Sequence, residues 1–276
     1  MSERLARARA FLLDMDGTFF LGEQLLEGAL EFIALLRQQG KAFLFLTNNS
    51  SKDRQQYVEK ITRLGLPITA DQVLTSGEAT ARLLRHDYAG AKLYVVGTPS
   101  LENEFRAAGF ALDDPRPEVA VVGFDTGLTY AKLWTLCNLV RAGRPYIVTH
   151  PDLNCPTPDG FMPDIGATIA YVKAATGRSP DVVVGKPSRL MAEAAAEKLG
   201  LPLESLAMVG DRLYTDIALG QAAGIPAVLV LSGETHLEDV RASAFQPEAT
   251  FAHLGALAHW LASAEYAAHL PATVVP

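Results

Sequence analysis

Four short apolar runs, each stopping at a polar group, constrain this chain more than any other feature. They are Phe11-Leu12-Leu13 before Asp14, Ala42-Phe43-Leu44-Phe45-Leu46 before Thr47-Asn48, Val182-Val183-Val184 before Gly185-Lys186, and Leu206-Ala207-Met208-Val209 before Gly210-Asp211. Runs this short, continuously apolar and bounded by turn signals, read as strands buried on both faces. Helical spacing fills the intervals. Leu30, Ile33, Ala34 and Leu36 predict a helix over 27–40, with Gly40 at its C-terminal cap. Further helices are expected over about 51–64, from Pro187 to near Gly200, and from Ile217 to Gln221, with one more strand at Ala227 to Leu231. Strand and helix alternating at this spacing imply an α/β fold, a parallel sheet covered on both faces.

The polar ends of the strands carry the chemistry. In Asp14-Met15-Asp16-Gly17-Thr18, side chains two apart on an extended segment face the same way, so Asp14 and Asp16 meet one pocket. Carboxylates crowded together repel unless one is protonated or a cation lies between them. Open parallel sheets bind ligands at the carboxyl ends of their strands, which is where Asp14, Asp16, Thr47, Asn48, Lys186 and Asp211 all fall. Taken singly, a lysine is usually a surface residue and Asn48-Asn49 an ordinary turn. Together with Asp216 they set four carboxylates against one nearby lysine. A hard divalent cation with oxygen ligands relieves that excess, and Mg²⁺ suits it because it keeps waters and binds phosphate. Lys186, Thr47 and the backbone amides at Asn48 are then placed to hold other phosphoryl oxygens.

Between about Ser76 and Asp181 a second α/β pattern intervenes. Its strands are Leu93 to Val96, Val119 to Val122 and Tyr146 to Val148, its helices lie near Leu101 to Ala108 and Tyr130 to Ala142, and a Pro- and Asp-rich loop runs from His150 to Asp164. It reads as an insertion into the first unit. The 276 residues suffice for two such units, and a net charge of -7 with a pI near 5.4 excludes nucleic acid as a main partner. The two cysteines, Cys137 and Cys155, form no metal or disulfide pattern: Cys137 falls in an apolar helix as core filling, and Cys155 in the loop is at most an exposed thiol. The charged amino terminus has no leader-like apolar segment and no run is long enough to span a membrane, so a cytoplasmic location is expected.

At these residues the chain resembles the haloacid dehalogenase-like (HAD) phosphohydrolases. Asp14-Met15-Asp16-Gly17-Thr18, Thr47-Asn48-Asn49, Gly185-Lys186-Pro187 and Gly210-Asp211-Arg212-Leu213-Tyr214-Thr215-Asp216 match the family's four motifs in order. The resemblance implies that Asp14 is the nucleophile and Asp16 the general acid and base. It implies that Mg²⁺ is held by Asp14, Asp211 and the backbone carbonyl of Asp16, with Asp216 acting from behind them on Lys186 or on a metal-bound water. Thr47, Asn48, Asn49 and Lys186 would bind the phosphoryl group. Only 33 positions separate Asp14 from Thr47, whereas 139 separate Thr47 from Lys186, so the insertion lies between the second and third motifs. That arrangement resembles the C2-capped subfamily typified by NagD and by pyridoxal phosphate phosphatases. A Rossmann-like core over 1–76 and 185–276 with an inserted α/β cap over 77–184 is therefore expected, the cap setting specificity. His150 and Asp152, with the loop through Asp159 to Asp164, are its candidate substrate contacts, against a simple Asp/Pro turn; Asp125 is read as structural. A small phosphorylated metabolite is the implied substrate and a homodimer through the cap the implied assembly. A phosphomutase using the same nucleophile, a dehalogenase and a non-catalytic phospho-ligand binder are the alternatives; Asp16 is of no use to the second, and the third could lose either aspartate without penalty.

Overall fold

The computed structural model describes residues 3–157 and 160–263. The chain divides into two compact units: one holds the described residues up to Leu46, Val58–Val73 and those from Ala195 onward, and the other holds Thr47–Tyr57 and Leu74–Ala194. The boundaries expected from motif spacing differ from this division at residues 47–57, 74–76 and 185–194. Asn48 and Ser50 account for part of the difference, because Asn48 is hydrogen-bonded to Asp152 and Ser50 to Thr149 and Phe124 of the inserted segment.

The first unit is built on a parallel sheet. Its strands are β1 (Ala10–Asp14), β4 (Ala42–Thr47), β5 (Val73–Thr75), β12 (Leu206–Gly210), β13 (Ala227–Val230) and β14 (Ala249–Phe251), in the order β14-β13-β12-β1-β4-β5. All five residues of β1 and of β12 are buried, as strands covered on both faces require. Helices α2 (Ala29–Gln38), α9 (Ala218–Ala223) and α11 (Leu254–Ala262) flank the sheet, with α1 (Glu3–Ala6) and α10 (Leu237–Ala242) as short outer turns. Phe11 of β1 meets Phe32 of α2 edge-to-face at 5.6 Å, and Phe19 meets Phe45 of β4 at 4.8 Å. A two-stranded hairpin, β2 (Phe20–Leu21) and β3 (Gln24–Leu25), follows the turn after β1. The chain adds strands outward on one side of β1, then returns to add β12, β13 and β14 on the other. The reversal of strand order thus falls between β1 and β12.

The second unit has its own parallel sheet in the order β11-β8-β7-β6, formed by β6 (Leu93–Val96), β7 (Val119–Val122), β8 (Tyr146–Val148) and β11 (Val182–Val183). Helices α4 (Ser76–Asp87), α5 (Pro99–Ala107), α6 (Tyr130–Arg141) and α7 (Ile165–Thr176) accompany it. Thr75, Thr98 and Thr129 each accept a backbone N–H at the start of α4, α5 and α6, and Asp164 does so for α7. Tyr146, Val122, Leu136, Cys137 and Val172 share one core cluster, against which Cys155 packs. Cys155 is therefore half-buried rather than an exposed thiol. It lies on a hairpin, β9 (Asn154–Thr157) and β10 (Gly160–Pro163), inside what the sequence presents as a plain loop. Strands β4, at Thr47, and β5, at Leu74 and Thr75, and helices α3 (Arg54–Arg63) and α8 (Arg189–Leu199) are cut by the division between the units. Among the described residues no helix is long and apolar enough to cross a membrane.

Candidate active site

In the first unit, β1 and β12 deliver Asp14 and Asp211 to the point where strand order reverses, the position at which an open sheet leaves a crevice. After Asp14 the backbone winds tightly: the N–H groups of Phe19 and Phe20 both donate to the Met15 carbonyl, at 2.9 and 3.1 Å. Gly17 has a φ of +88°, and a Cβ there would lie 2.5 Å from Asp211 Oδ2, so two separate constraints demand glycine. Asp16 is exposed beside this turn, whereas Asp14 is only 9% and Asp211 only 1% accessible. After Asp211 a single π-helical turn, Leu213–Ile217, carries Asp216 back beneath Gly210, where a Cβ would come within 2.2 Å of the Asp216 carboxyl carbon. The Arg212 N–H donates to Asp216 Oδ2 at 3.1 Å.

Carboxylate oxygens of Asp14, Asp211 and Asp216 consequently lie within 4.8 Å of one another, all three buried. Burial first, and then the charges of Asp14 and Asp216, push the Asp211 carboxyl up to about 7; the Glu234 N–H and the Arg212 guanidinium oppose the rise. Three buried oxygen donors, none of them nitrogen or sulfur, suit a hard divalent cation. Asp211 is also fixed by one residue of the first motif and by one outside all four. Thr18 Oγ1 donates to its Oδ1 at 3.3 Å and the Glu234 N–H to its Oδ2 at 2.7 Å. The segment Ser232-Gly233-Glu234 belongs to none of the four motifs. It follows β13 with only Leu231 between, and so stands at a strand's carboxyl end as the other groups do.

In the second unit, Asn48, Lys186 and Asp152 come together. The Asn48 amide donates to the Lys186 carbonyl at 2.9 Å and to Asp152 Oδ1 at 3.1 Å, while the Lys186 N–H donates to Asn48 Oδ1 at 2.8 Å. Lys186 is 3% accessible. Asn49 turns its side chain back on the chain, accepting from the Ser51 N–H and hydroxyl at 2.8 and 2.7 Å, and its own N–H donates to Thr47 Oγ1 at 3.2 Å. His150 has no accessible surface: one ring nitrogen lies 3.1 Å from Thr149 Oγ1 and 3.5 Å from Ser76 Oγ, the other 3.0 Å from Asp164 Oδ1. Asp152 is half-buried, and Asp159 of the same loop lies outside the described residues. Asp125 pairs with Lys132 at 2.6 Å and borders a cavity of about 210 Å³ whose walls include Phe124, Leu133, Asp164 and Tyr171. A cavity of about 340 Å³ lies instead at the amino-terminal end of β13, lined by Arg4, Gln221 and Glu248, and holds none of this chemistry.

A family model described as haloacid dehalogenase-like hydrolase matches residues 11–111, and a HAD-hydrolase-like model matches 183–257. The chain is 37% identical over 247 residues to an acid sugar phosphatase of Staphylococcus saprophyticus, spanning 89% of this chain and 95% of that one. The crystal structure of a 4-nitrophenylphosphatase from Thermotoga maritima superposes with a TM-score of 0.90 at 46% identity, covering 93% of this chain and 98% of the other. NagD from E. coli K-12 superposes with a TM-score of 0.84 at 32% identity, covering 90% and 97%.

Proposed function

The chain belongs to the haloacid dehalogenase-like hydrolases, among their NagD-like phosphatases of phosphomonoesters, and on that premise we propose that it is Mg²⁺-dependent and works through an aspartyl phosphate on Asp14. The observation that carries the proposal is the buried trio Asp14, Asp211 and Asp216, which places like charges together where only a cation or a proton can relieve them.

The chemistry then follows from the residues. An Asp14 carboxylate oxygen attacks phosphorus as the bond to the leaving oxygen breaks, and Asp16, exposed beside the turn, gives that oxygen its proton. The resulting Asp16 carboxylate takes a proton from water, whose oxygen attacks the same phosphorus and returns Asp14 and inorganic phosphate. Asp14, Asp211 and the Asp16 carbonyl hold Mg²⁺, with Asp216 fixing the turn behind them. When bound, the ion supplies the positive charge that offsets these carboxylates and the phosphoryl oxygens. Thr47 and Lys186 each take a phosphoryl oxygen, and Asn48 fixes the Lys186 backbone.

Sugar phosphates are the proposed substrate class, because the acid sugar phosphatase of S. saprophyticus aligns along nearly all of its length. The cap supplies specificity through Asp152 and the cavity beside Phe124, and His150 acts as an internal brace for Asp164 at the start of α7. The core and cap boundaries remain those of the motif spacing, 1–76 with 185–276 and 77–184. A cytoplasmic location and a homodimer through the cap complete the proposal. Phosphate release from sugar phosphates, nucleoside monophosphates and 4-nitrophenyl phosphate, with Mg²⁺ and with EDTA, tests it. Release undiminished by EDTA would remove the metal, and phosphoryl transfer without release of free phosphate would favour the mutase.

A further inference from the structure

The loop after β13 is attached to the carboxylate site at three successive residues. Ser232 Oγ donates to the Gly17 carbonyl at 2.9 Å, Gly233 passes so close that a Cβ would lie 2.0 Å from Asp211 Oδ2, and the Glu234 N–H donates to that same oxygen at 2.7 Å. The Glu234 side chain then reaches back over the segment that follows Asp211. Its Oε1 accepts the Tyr214 hydroxyl at 2.8 Å and its Oε2 lies 2.9 Å from Arg212 Nε. One residue therefore touches positions 211, 212 and 214, by its amide at the first and its carboxylate at the other two.

We propose that Glu234 is a positioning residue for the metal site, strapping Arg212 and Tyr214 so that its own amide stays on Asp211 and the Arg212 guanidinium stays off the carboxylates. The inference rests on the reading of Asp14 and Asp211 as Mg²⁺ ligands. A hydrogen bond to one oxygen of a ligating carboxylate fixes the orientation of the other, and such outer partners commonly govern metal affinity. In addition, the charge of Arg212 feels Asp14 and Asp211 as well as Glu234. An unstrapped guanidinium is a ready competitor for the carboxylates that the ion must hold, since Arg pairs with carboxylates in a planar fork. Glu234 itself is half exposed, with side-chain accessibility of 51%, so its ion pair adds little to folding stability. That separates its role at the site from a structural one.

The test compares wild type with Glu234→Ala and Glu234→Gln by Mg²⁺ titration calorimetry, by melting in EDTA, and by the Mg²⁺ dependence of phosphate release. Glu234→Ala should bind Mg²⁺ about tenfold more weakly. Its melting temperature in EDTA should stay close to wild type, and its Mg²⁺ activation constant should rise more than kcat falls. Glu234→Gln keeps a partner for Tyr214 but leaves Arg212 unneutralised, so it should fall between the two. Mg²⁺ binding by Glu234→Ala within twofold of wild type overturns the inference, as does a large drop in metal-free melting with unchanged Mg²⁺ affinity. Failure of the wild type to bind Mg²⁺ overturns the metal reading itself, an outcome distinct from either.

Discussion

Asn48 and Lys186, 138 residues apart, close a ring of two hydrogen bonds: the Asn48 amide donates to the Lys186 carbonyl at 2.9 Å, and the Lys186 N–H returns to Asn48 Oδ1 at 2.8 Å. A side-chain amide here pairs with backbone much as a neighbouring strand would. The segment bearing Lys186 is thereby set by Asn48 rather than by its own short strand.

Replacing Asn48 with Ala should therefore act on Lys186 before anything else. It removes the side-chain partner of the buried Lys186 N–H and C=O, at a cost of about 2 kcal/mol in urea denaturation, and KM for a phosphate ester should rise. A stability loss under about 0.5 kcal/mol would show that water or a shifted loop takes over both bonds.

Asp14→Asn keeps the shape of the nucleophile and removes its charge. Phosphate release should fall at least about a thousandfold, and no phosphorylated protein should be trapped by rapid acid quench. Retained turnover would end the covalent mechanism.

The pH dependence of the metal-free protein follows from Asp211. Its carboxyl is raised to about 7 by burial, Asp14 and Asp216, above the value of roughly 4 it has when unfolded. The folded state thus binds more protons in that interval, so stability is greatest below it and declines as pH rises through about 7. Melting in EDTA should be higher at pH 5.5 than at pH 8.5, and Asp211→Asn should flatten the difference. Mg²⁺ needs the carboxylate form, so its stabilising effect should grow over the same interval.

Glu104 in the second unit has the same sign. Burial and then Glu78 raise its carboxyl to about 7, with Arg54 opposing. Glu104→Gln should improve stability more at pH 8.5 than at pH 5.5, without altering Mg²⁺ affinity. Improvement at both values alike would point to packing instead.

Gly233→Ala forces a Cβ against Asp211 where only 2.0 Å is available, whereas Gly40, with a φ of +64°, has open space around it. The first substitution should abolish Mg²⁺-induced stabilisation and cost about 1–3 kcal/mol. Gly40→Ala should cost only about 1 kcal/mol of backbone strain and leave Mg²⁺ binding intact. Equal metal affinity in the two would mean that the Asp211 loop yields.

How far the fold could be read from sequence depended on how apolar each element is. Strands β1, β4, β6, β7, β8, β12 and β13 show as continuous apolar runs, whereas β5, β14 and the β9–β10 hairpin carry Thr, Asn, Pro or Gly and present no such run. The expected helix over 27–40 is trimmed to Ala29–Gln38, and the one over 51–64 to Arg54–Arg63, because the flanking residues serve as turns and caps. Helix α7 went unread, since its apolar residues surround it and leave a weak stripe.

For the site, the sequence by itself determined the chemical inventory: which carboxylates, amide, hydroxyl and lysine stand at strand ends. The reason is that an apolar run reports burial and the residue after it reports where burial stops. Tertiary structure alone decided which of these groups meet. It turned His150 inward against Thr149 and Asp164, gave Asn48 to Lys186, and brought Ser232-Gly233-Glu234 onto Asp211. Those encounters depend on the order in which strands add to each sheet. Periodicity along a chain carries no information about that order, and so none about which distant strand ends become neighbours.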